Sequence, residues 1–189
     1  MSTHFIYVWS ILWDKMSQSW ISKTLIDRKL KVLEEKNMEL QIIPRKEEIP
    51  VMDTQSIKIK HIAYYPTRDG EYEEEQITED LISKILSQIP KKINVTLSLI
   101  PYGEDDWLEV ICDGNWLALG YCSDGGSDNY YSYNADFAGT EDFSPLKSGG
   151  QSPIEKYLAI QDISAGVKAV EYFIRTGELY PGISWAHQL

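Results

Sequence analysis

The clearest alternation of apolar and polar positions lies near the carboxyl end of the chain, where apolar residues recur at spacings of three and four. They fall on one side of a helix: Ile163, Gly166, Val167, Val170, Phe173 and Ile174. The other side carries Lys168, Glu171, Tyr172 and Arg175. This pattern predicts an amphipathic helix with one buried and one solvated face. Glu171 and Arg175 stand four residues apart and are expected to pair.

The ends of this helix are marked by residues that start and stop helices. Asp162 or Ser164 can accept hydrogen bonds from the first free backbone amides, and Gly177 suits the left-handed residue that closes a helix. Pro181 prevents continuation because it has no backbone N–H. Trp185 lies in a terminal tail, which a buried indole would anchor. We therefore expect four residues to serve the fold: Phe173, Gly177, Pro181 and Trp185.

Upstream patterns predict a sheet and one more helix. Residues 57–64 alternate loosely as a strand, and Thr78 can cap a helix that Pro90 ends. Residues 93–99 alternate between apolar and polar side chains, as a half-buried strand does. The order of strand, helix, several strands and a final helix predicts an α+β fold, in which helices pack on a mainly antiparallel sheet.

Two apolar runs, at 107–112 and 115–122, flank Asp113-Gly114, a preferred two-residue loop of a type I′ hairpin. That turn would set Cys112 opposite Asn115 and Cys122 opposite Asp105, so the two cysteines are too far apart for a disulfide. We expect two free thiols. The same register predicts a core face: Leu108, Val110, Cys112, Leu117 and Leu119.

The first part of the chain follows a different pattern, and we divide the chain into an N-terminal extension, 1–51, and a main domain, 52–189. A stripe of large apolar residues predicts a helix in the first half of the extension: Phe5, Trp9, Leu12, Trp13, Met16 and Trp20. The second half fits a continued helix or a hairpin over residues 30–43. The extension is thus expected to be helical or partly disordered, and either to bind a partner or to pack on the domain.

Charge separates the same two parts. The chain has a formal net charge of -11, and residues 52–189 carry 22 Asp and Glu against ten Lys and Arg. Residues 1–51 are close to balanced, with eight basic and seven acidic residues. A strongly acidic field repels nucleic acid and anionic membranes, and it attracts basic proteins. We therefore expect neither nucleic acid nor a membrane as a direct partner.

Catalytic and targeting motifs do not emerge from the sequence. The histidines His4, His61 and His187 are isolated, and there is no HExxH, GxSxG or GxxxxGK[ST] motif. We expect no enzymatic activity, no cofactor and no metal.

The apolar run at residues 5–13 is shorter than the roughly 20 residues that span a bilayer. No signal peptide is evident, so a cytoplasmic location is expected.

The C-terminal segment resembles a known family through a sparse set of residues: Ser164, Ala165, Ala169, Phe173, Gly177, Pro181 and Trp185. Together with Gly125-Gly126 and the strand pattern upstream, it is similar to immunity proteins of bacterial polymorphic toxin systems, over about residues 57 to 189. The resemblance implies that the protein binds and neutralises a cognate toxin of the deaminase type, which acts on nucleic acid. Gly166 lies inside the predicted helix, where glycine lowers helix stability by roughly 1 kcal/mol relative to alanine. Close packing against another element would explain a glycine at this position.

Partner-binding residues are predicted in the acidic, tyrosine-rich segment 123–150 and just before the hairpin. Tyrosine offers a large contact area with few rotors to order, and carboxylates can pair with the Lys and Arg of a basic cleft. The predicted set is Tyr130, Tyr131, Tyr133, Asp136, Glu141, Glu104 and Asp106. The segment could instead be a solvated connection whose aromatic rings fold back onto the sheet. A non-catalytic adaptor or scaffold module is the alternative function, and the sequence leaves the oligomeric state open.

Overall fold

The computed structural model describes residues 40–65, 70–103 and 105–188. The helix predicted in the first half of the extension lies outside these ranges. The strands are β1 (Leu40–Ile43), β2 (His61–Tyr64), β3 (Glu71–Glu73), β4 (Ile93–Ser98), β5 (Trp107–Cys112), β6 (Leu117–Ser123), β7 (Asp128–Ser132), β8 (Phe143–Ser148), β9 (Ser152–Glu155) and β10 (Trp185–Gln188). The helices are α1 (Glu79–Gln88) and α2 (Ile163–Thr176). The α+β class predicted from the sequence is confirmed.

Eight of these strands form one antiparallel sheet in the order β1-β10-β7-β6-β5-β4-β2-β3, and β8 and β9 form a separate hairpin. The C-terminal strand β10 pairs with β7 on one side and with β1 on the other. The tail is therefore held by backbone pairing as well as by Trp185, whose indole N–H donates to the Tyr180 carbonyl at 2.9 Å. Strand β1 belongs to the segment assigned to the extension, and it forms an edge of this sheet.

Both helices begin and end where the sequence predicts. The Thr78 hydroxyl accepts from the Leu81 amide, and the Asp162 carboxylate accepts from the Ala165 amide. Gly177 closes α2 with a φ of 74°, which is the left-handed region that favours glycine. The apolar faces of the helices and one face of the sheet share a core that includes Phe173, which is 1% exposed.

The predicted solvated face of α2 is partly wrong, because Tyr172 and Arg175 are buried. Arg175 does not use Glu171 as its main partner. Its guanidinium donates to both carboxylate oxygens of Glu79, at 2.6 and 2.7 Å, and to the Ser56 carbonyl. The Arg175 side chain thus joins α2 to α1 and to the chain that precedes β2, a contact between residues far apart in sequence.

This ion pair makes stability depend on pH. The hydrogen bonds from Arg175 lower the pKa of Glu79, so protonating this carboxyl in the folded protein carries a cost. The pair therefore stabilises the fold at neutral pH, and that contribution is lost as the pH falls through the lowered pKa.

We expect Glu79→Gln to lower stability at pH 7 and to flatten the loss of stability below about pH 4.3, the ordinary pKa of glutamate. Denaturant titrations between pH 7 and pH 3 check this, with Glu171→Gln as the matched control. An equally steep acid limb in Glu79→Gln would contradict it.

Gly166 is explained by close packing. A Cβ at this position would lie 2.7 Å from Leu117 Cδ1, and Leu117 is fully buried in β6. The helix therefore approaches the sheet at a point where any larger residue would clash. The conformational cost of glycine inside a helix is offset by this approach.

The hairpin between β5 and β6 has a longer loop than predicted. The Asp113 carboxylate accepts from the amides of Asn115 and Trp116, at 2.9 Å each, which holds residues 113–116 in a four-residue loop. Cys112 therefore pairs with Leu117, and Cys122 lies opposite Trp107. A shift of two residues keeps every side chain on its predicted face, and the predicted core face is buried. Both cysteines are free thiols, as expected.

A second, smaller apolar cluster lies on the other face of the sheet and comprises Ile111, Ala118, Leu146 and Ala159. Leu146 belongs to the β8–β9 hairpin, which packs on this face. The Glu109 carboxylate holds the hairpin tip, because it accepts from the Ser148 hydroxyl at 2.7 Å and from the Gly149 amide at 3.2 Å.

Candidate functional site

One end of the sheet gathers carboxylates and aromatic side chains from β6, β7, β10 and the loops beside them. We call it the acidic end, and it comprises Tyr102, Asp105, Asp106, Tyr121, Asp124, Asp128, Tyr130 and His187. Tyr121, Tyr130 and His187 are neighbours on three adjacent strands, since Tyr121 pairs with Tyr130 and Tyr130 with His187. Residues that are distant in sequence thus form one surface.

The loops of the acidic end are tied to each other by Asp105. Its carboxylate accepts from the Gly125 amide at 2.8 Å and from the Asp106 amide at 2.8 Å. The buried Ser98 hydroxyl donates to the Asp105 carbonyl at 2.7 Å and so fixes the same loop to β4. Through these contacts residues 105–106 lie beside the loop at 124–126.

Tyr130 and His187 form the centre of the acidic end. Their rings stack with centroids 4.3 Å apart and planes only 6° from parallel. His187 Nε2 lies 2.6 Å from Asp128 Oδ1, so the imidazole is held by a carboxylate on one side and a phenol ring on the other. In the sequence His187 is an isolated histidine with no evident partner. Strand pairing places it against Asp128, 59 residues away in sequence.

Tyr121 connects this stack to the core. Its ring meets the buried Phe173 of α2 edge-on at 5.6 Å, and its hydroxyl lies 3.4 Å from Asp106 Oδ1. Burial and the Asp106 carboxylate raise the pKa of Tyr121 to about 12. The phenol therefore keeps its proton at physiological pH and remains a hydrogen-bond donor beside the carboxylates.

The backbone of the acidic end is unusual. In the described part of the chain, three non-glycine residues have a positive φ, and all three lie here: Tyr102 at 64°, Asp106 at 50° and Asp124 at 50°. Such conformations cost energy and cluster at functional sites in proteins. The Tyr102 side chain is 75% exposed, although tyrosine is a large and mostly apolar residue. A strained backbone that presents an exposed ring and carboxylates is suited to contact with a partner.

The structure separates the predicted binding residues. Tyr130 and Asp106 belong to the acidic end, and Glu104 lies outside the described residues. Tyr131 follows Tyr130 in β7, so its side chain lies on the opposite face, half-buried against Gly120. The segment 123–150 is not a single connection, because it contains strands β7 and β8.

The other predicted residues lie past the opposite end of β7, where Tyr133 is about 10 Å along the chain from Tyr130 at roughly 3.3 Å per residue. This group, the far end, comprises Tyr133, Asp136 and Glu141. A short 3-10 turn at Ala135–Phe137 places Phe137 against Trp116, with ring centroids 5.4 Å apart. Phe137 therefore folds back onto the loop between β5 and β6.

Six of the eight residues of the acidic end are absent from the set predicted from the sequence: Tyr102, Asp105, Tyr121, Asp124, Asp128 and His187. Asp128 and His187 meet through the pairing of β7 with β10, and no local pattern reveals a pairing across more than 50 residues. Residues Asp128–Ser132 show no regular alternation of apolar and polar side chains, so β7 has no clear signal in the sequence. The turn residues around it were read as a loop.

Comparisons with known proteins add no assignment: a scan against family models and a search of curated proteins both find no match. The resemblance to immunity proteins thus rests on the residue pattern of the C-terminal segment. Within residues 40–65, 70–103 and 105–188, no cluster of His, Cys, Asp and Glu has the makings of a metal site. Among the same residues, no helix has the length and apolar character needed to cross a membrane.

Proposed function

We propose that this chain is an immunity protein that binds a cognate bacterial toxin and occludes its active or substrate-binding site. The toxin would be a deaminase-type enzyme that acts on nucleic acid. The observation that carries the proposal is the acidic end, where carboxylates, exposed Tyr102 and the stacked pair of Tyr130 and His187 occupy one strained surface. The resemblance of the C-terminal residue pattern to immunity proteins also supports the proposal.

Charge complementarity supports this mode of action. A protein that acts on nucleic acid needs a basic cleft to hold phosphates. Carboxylates that meet such a cleft accelerate association and compete with phosphate for the same Lys and Arg side chains. Tyr102 and Tyr130 add contact area at low entropic cost. A stable complex would bury at least roughly 800 Å² on each partner, with a few aromatic or charged anchors dominating its energy.

Co-expression tests the proposal directly. The candidate partner is a toxic domain encoded next to this chain, at the carboxyl end of a large secreted protein. We expect cells that express this domain to survive only when the protein is present, and we expect the two to co-purify. Survival that does not depend on the protein, together with failure to co-purify, would contradict immunity. Binding to some other protein would then favour the adaptor function.

A further inference from the structure

A cleft of about 550 Å³ lies between the β8–β9 hairpin and the sheet face that the helices leave uncovered. It is at the Cys112 end of β5, whereas the acidic end is at the Trp107 end of the same strand. Its volume falls in the range of about 300–1,000 Å³ that is typical of small-molecule sites. The cleft is therefore separate from the surface to which toxin binding is assigned.

The lining of the cleft combines apolar walls with positive charge. Leu146 on the hairpin and Ile111 on β5 supply apolar surface, and Tyr65 adds an aromatic ring that is 45% exposed. Lys92 and Lys147 contribute two ammonium groups in a domain with a large excess of acidic residues. The Asp113 carboxylate also lines the cleft, but it already accepts hydrogen bonds from two backbone amides of its own loop. Two lysines against one carboxylate that already has hydrogen-bond partners favour an anionic ligand.

An unpartnered side-chain oxygen lies in the same wall. Asn94 Oδ1 is buried and has no hydrogen-bond partner, which is a costly arrangement for a polar atom. The Asn94 side chain lines the cleft, so a ligand that enters can supply the hydrogen bond that this oxygen lacks. Tyr65 is fixed beside it, because the Tyr65 amide donates to the Asn94 backbone carbonyl at 3.0 Å.

We propose that this cleft binds a nucleoside monophosphate. Two lysines suit a compact phosphate, which carries a charge of about -1.5 to -2 at pH 7. The apolar walls and the Tyr65 ring suit a planar base, since bases stack on aromatic side chains. Asparagine pairs with the donor and acceptor edge of adenine. Each feature of the lining thus meets one part of the ligand.

Calorimetric titration of the full chain with adenosine 5′-monophosphate tests the proposal. We expect a dissociation constant below about 1 mM, and binding about tenfold weaker for adenosine, which lacks the phosphate. Lys147→Ala and Asn94→Val should each weaken binding several-fold, and Lys168→Ala, on the exposed side of α2, should not. Toxin binding should be unaffected by all three changes, because the acidic end is untouched.

Three results would overturn the nucleotide site. The first is no binding of adenosine 5′-monophosphate at millimolar concentration. The second is equal binding of inorganic phosphate, which would mean simple anion attraction. The third is equal weakening by Lys147→Ala and Lys168→Ala, which would mean attraction to the surface as a whole.

Discussion

Replacing Phe173 by alanine is expected to destabilise the protein by about 3–5 kcal/mol, the cost of removing a large aromatic side chain from a packed core. Phe173 is 1% exposed, lies on the buried face of α2 and meets Tyr121 of the acidic end edge-on. Since a domain of this kind is stable by only about 5–15 kcal/mol, the loss should appear as a large drop in the denaturation midpoint. The cavity would also leave Tyr121 without its support, so the acidic end should loosen.

The chain provides a matched control in Phe143, which is 56% exposed in β8. The same substitution there should change stability by no more than about 0.5 kcal/mol. Denaturant unfolding of the two variants and the parent protein separates a core effect from a general loss of aromatic surface. Similar midpoints for Phe173→Ala and Phe143→Ala would contradict the assignment of Phe173 to the core.

Neutralising Asp106 and Asp124 together is expected to weaken toxin binding by about tenfold or more, mainly through slower association. Asparagine is the appropriate replacement because it tolerates the left-handed backbone that both residues adopt and keeps an oxygen for their hydrogen bonds. The change thus removes two charges and little else. The salt dependence of the association rate should fall as well, since long-range attraction is what these charges supply.

The far end provides the control for this prediction. Asp136→Asn with Glu141→Gln also removes two charges from residues that the sequence proposed as an interface. We expect this pair to leave the association rate within about twofold, because screening limits the effect of charges more than roughly 10 Å from the contact. Stopped-flow association at several salt concentrations distinguishes the two pairs. If both double variants slow association equally, the net charge of the protein governs binding, and the acidic end has no special role.

The parts of the fold that sequence could predict are those specified by neighbouring residues. The Thr78 and Asp162 caps, the Gly177 terminus and the two-residue periodicity of β4 depend on residues a few positions apart. The side-chain faces of the β5–β6 hairpin were also predicted correctly, although its loop is longer than expected, because a shift of two residues preserves alternation.

Other parts of the fold, and the candidate site itself, depend on contacts that no local pattern reveals. In the fold, Arg175 was expected on the solvated face of its helix, yet it is buried and paired with Glu79 on the other helix. His187 looked like part of a fraying tail, yet β10 enters the sheet between β1 and β7 and brings it to Asp128. Composition drew attention to tyrosine and aspartate. Non-local strand pairing brings Tyr130 and Asp106 together in the acidic end. Tyr131 and Asp136 lie outside this surface.

Occlusion of the toxin can be measured most directly by titrating the catalytic activity of the purified toxin domain on nucleic acid with this protein. Neutralisation by binding predicts a fall in activity that is linear in added protein and complete at one equivalent. Raising the nucleic-acid concentration should delay that fall, because substrate and inhibitor would compete for the same cleft. Full activity in the presence of excess protein would contradict the proposed function.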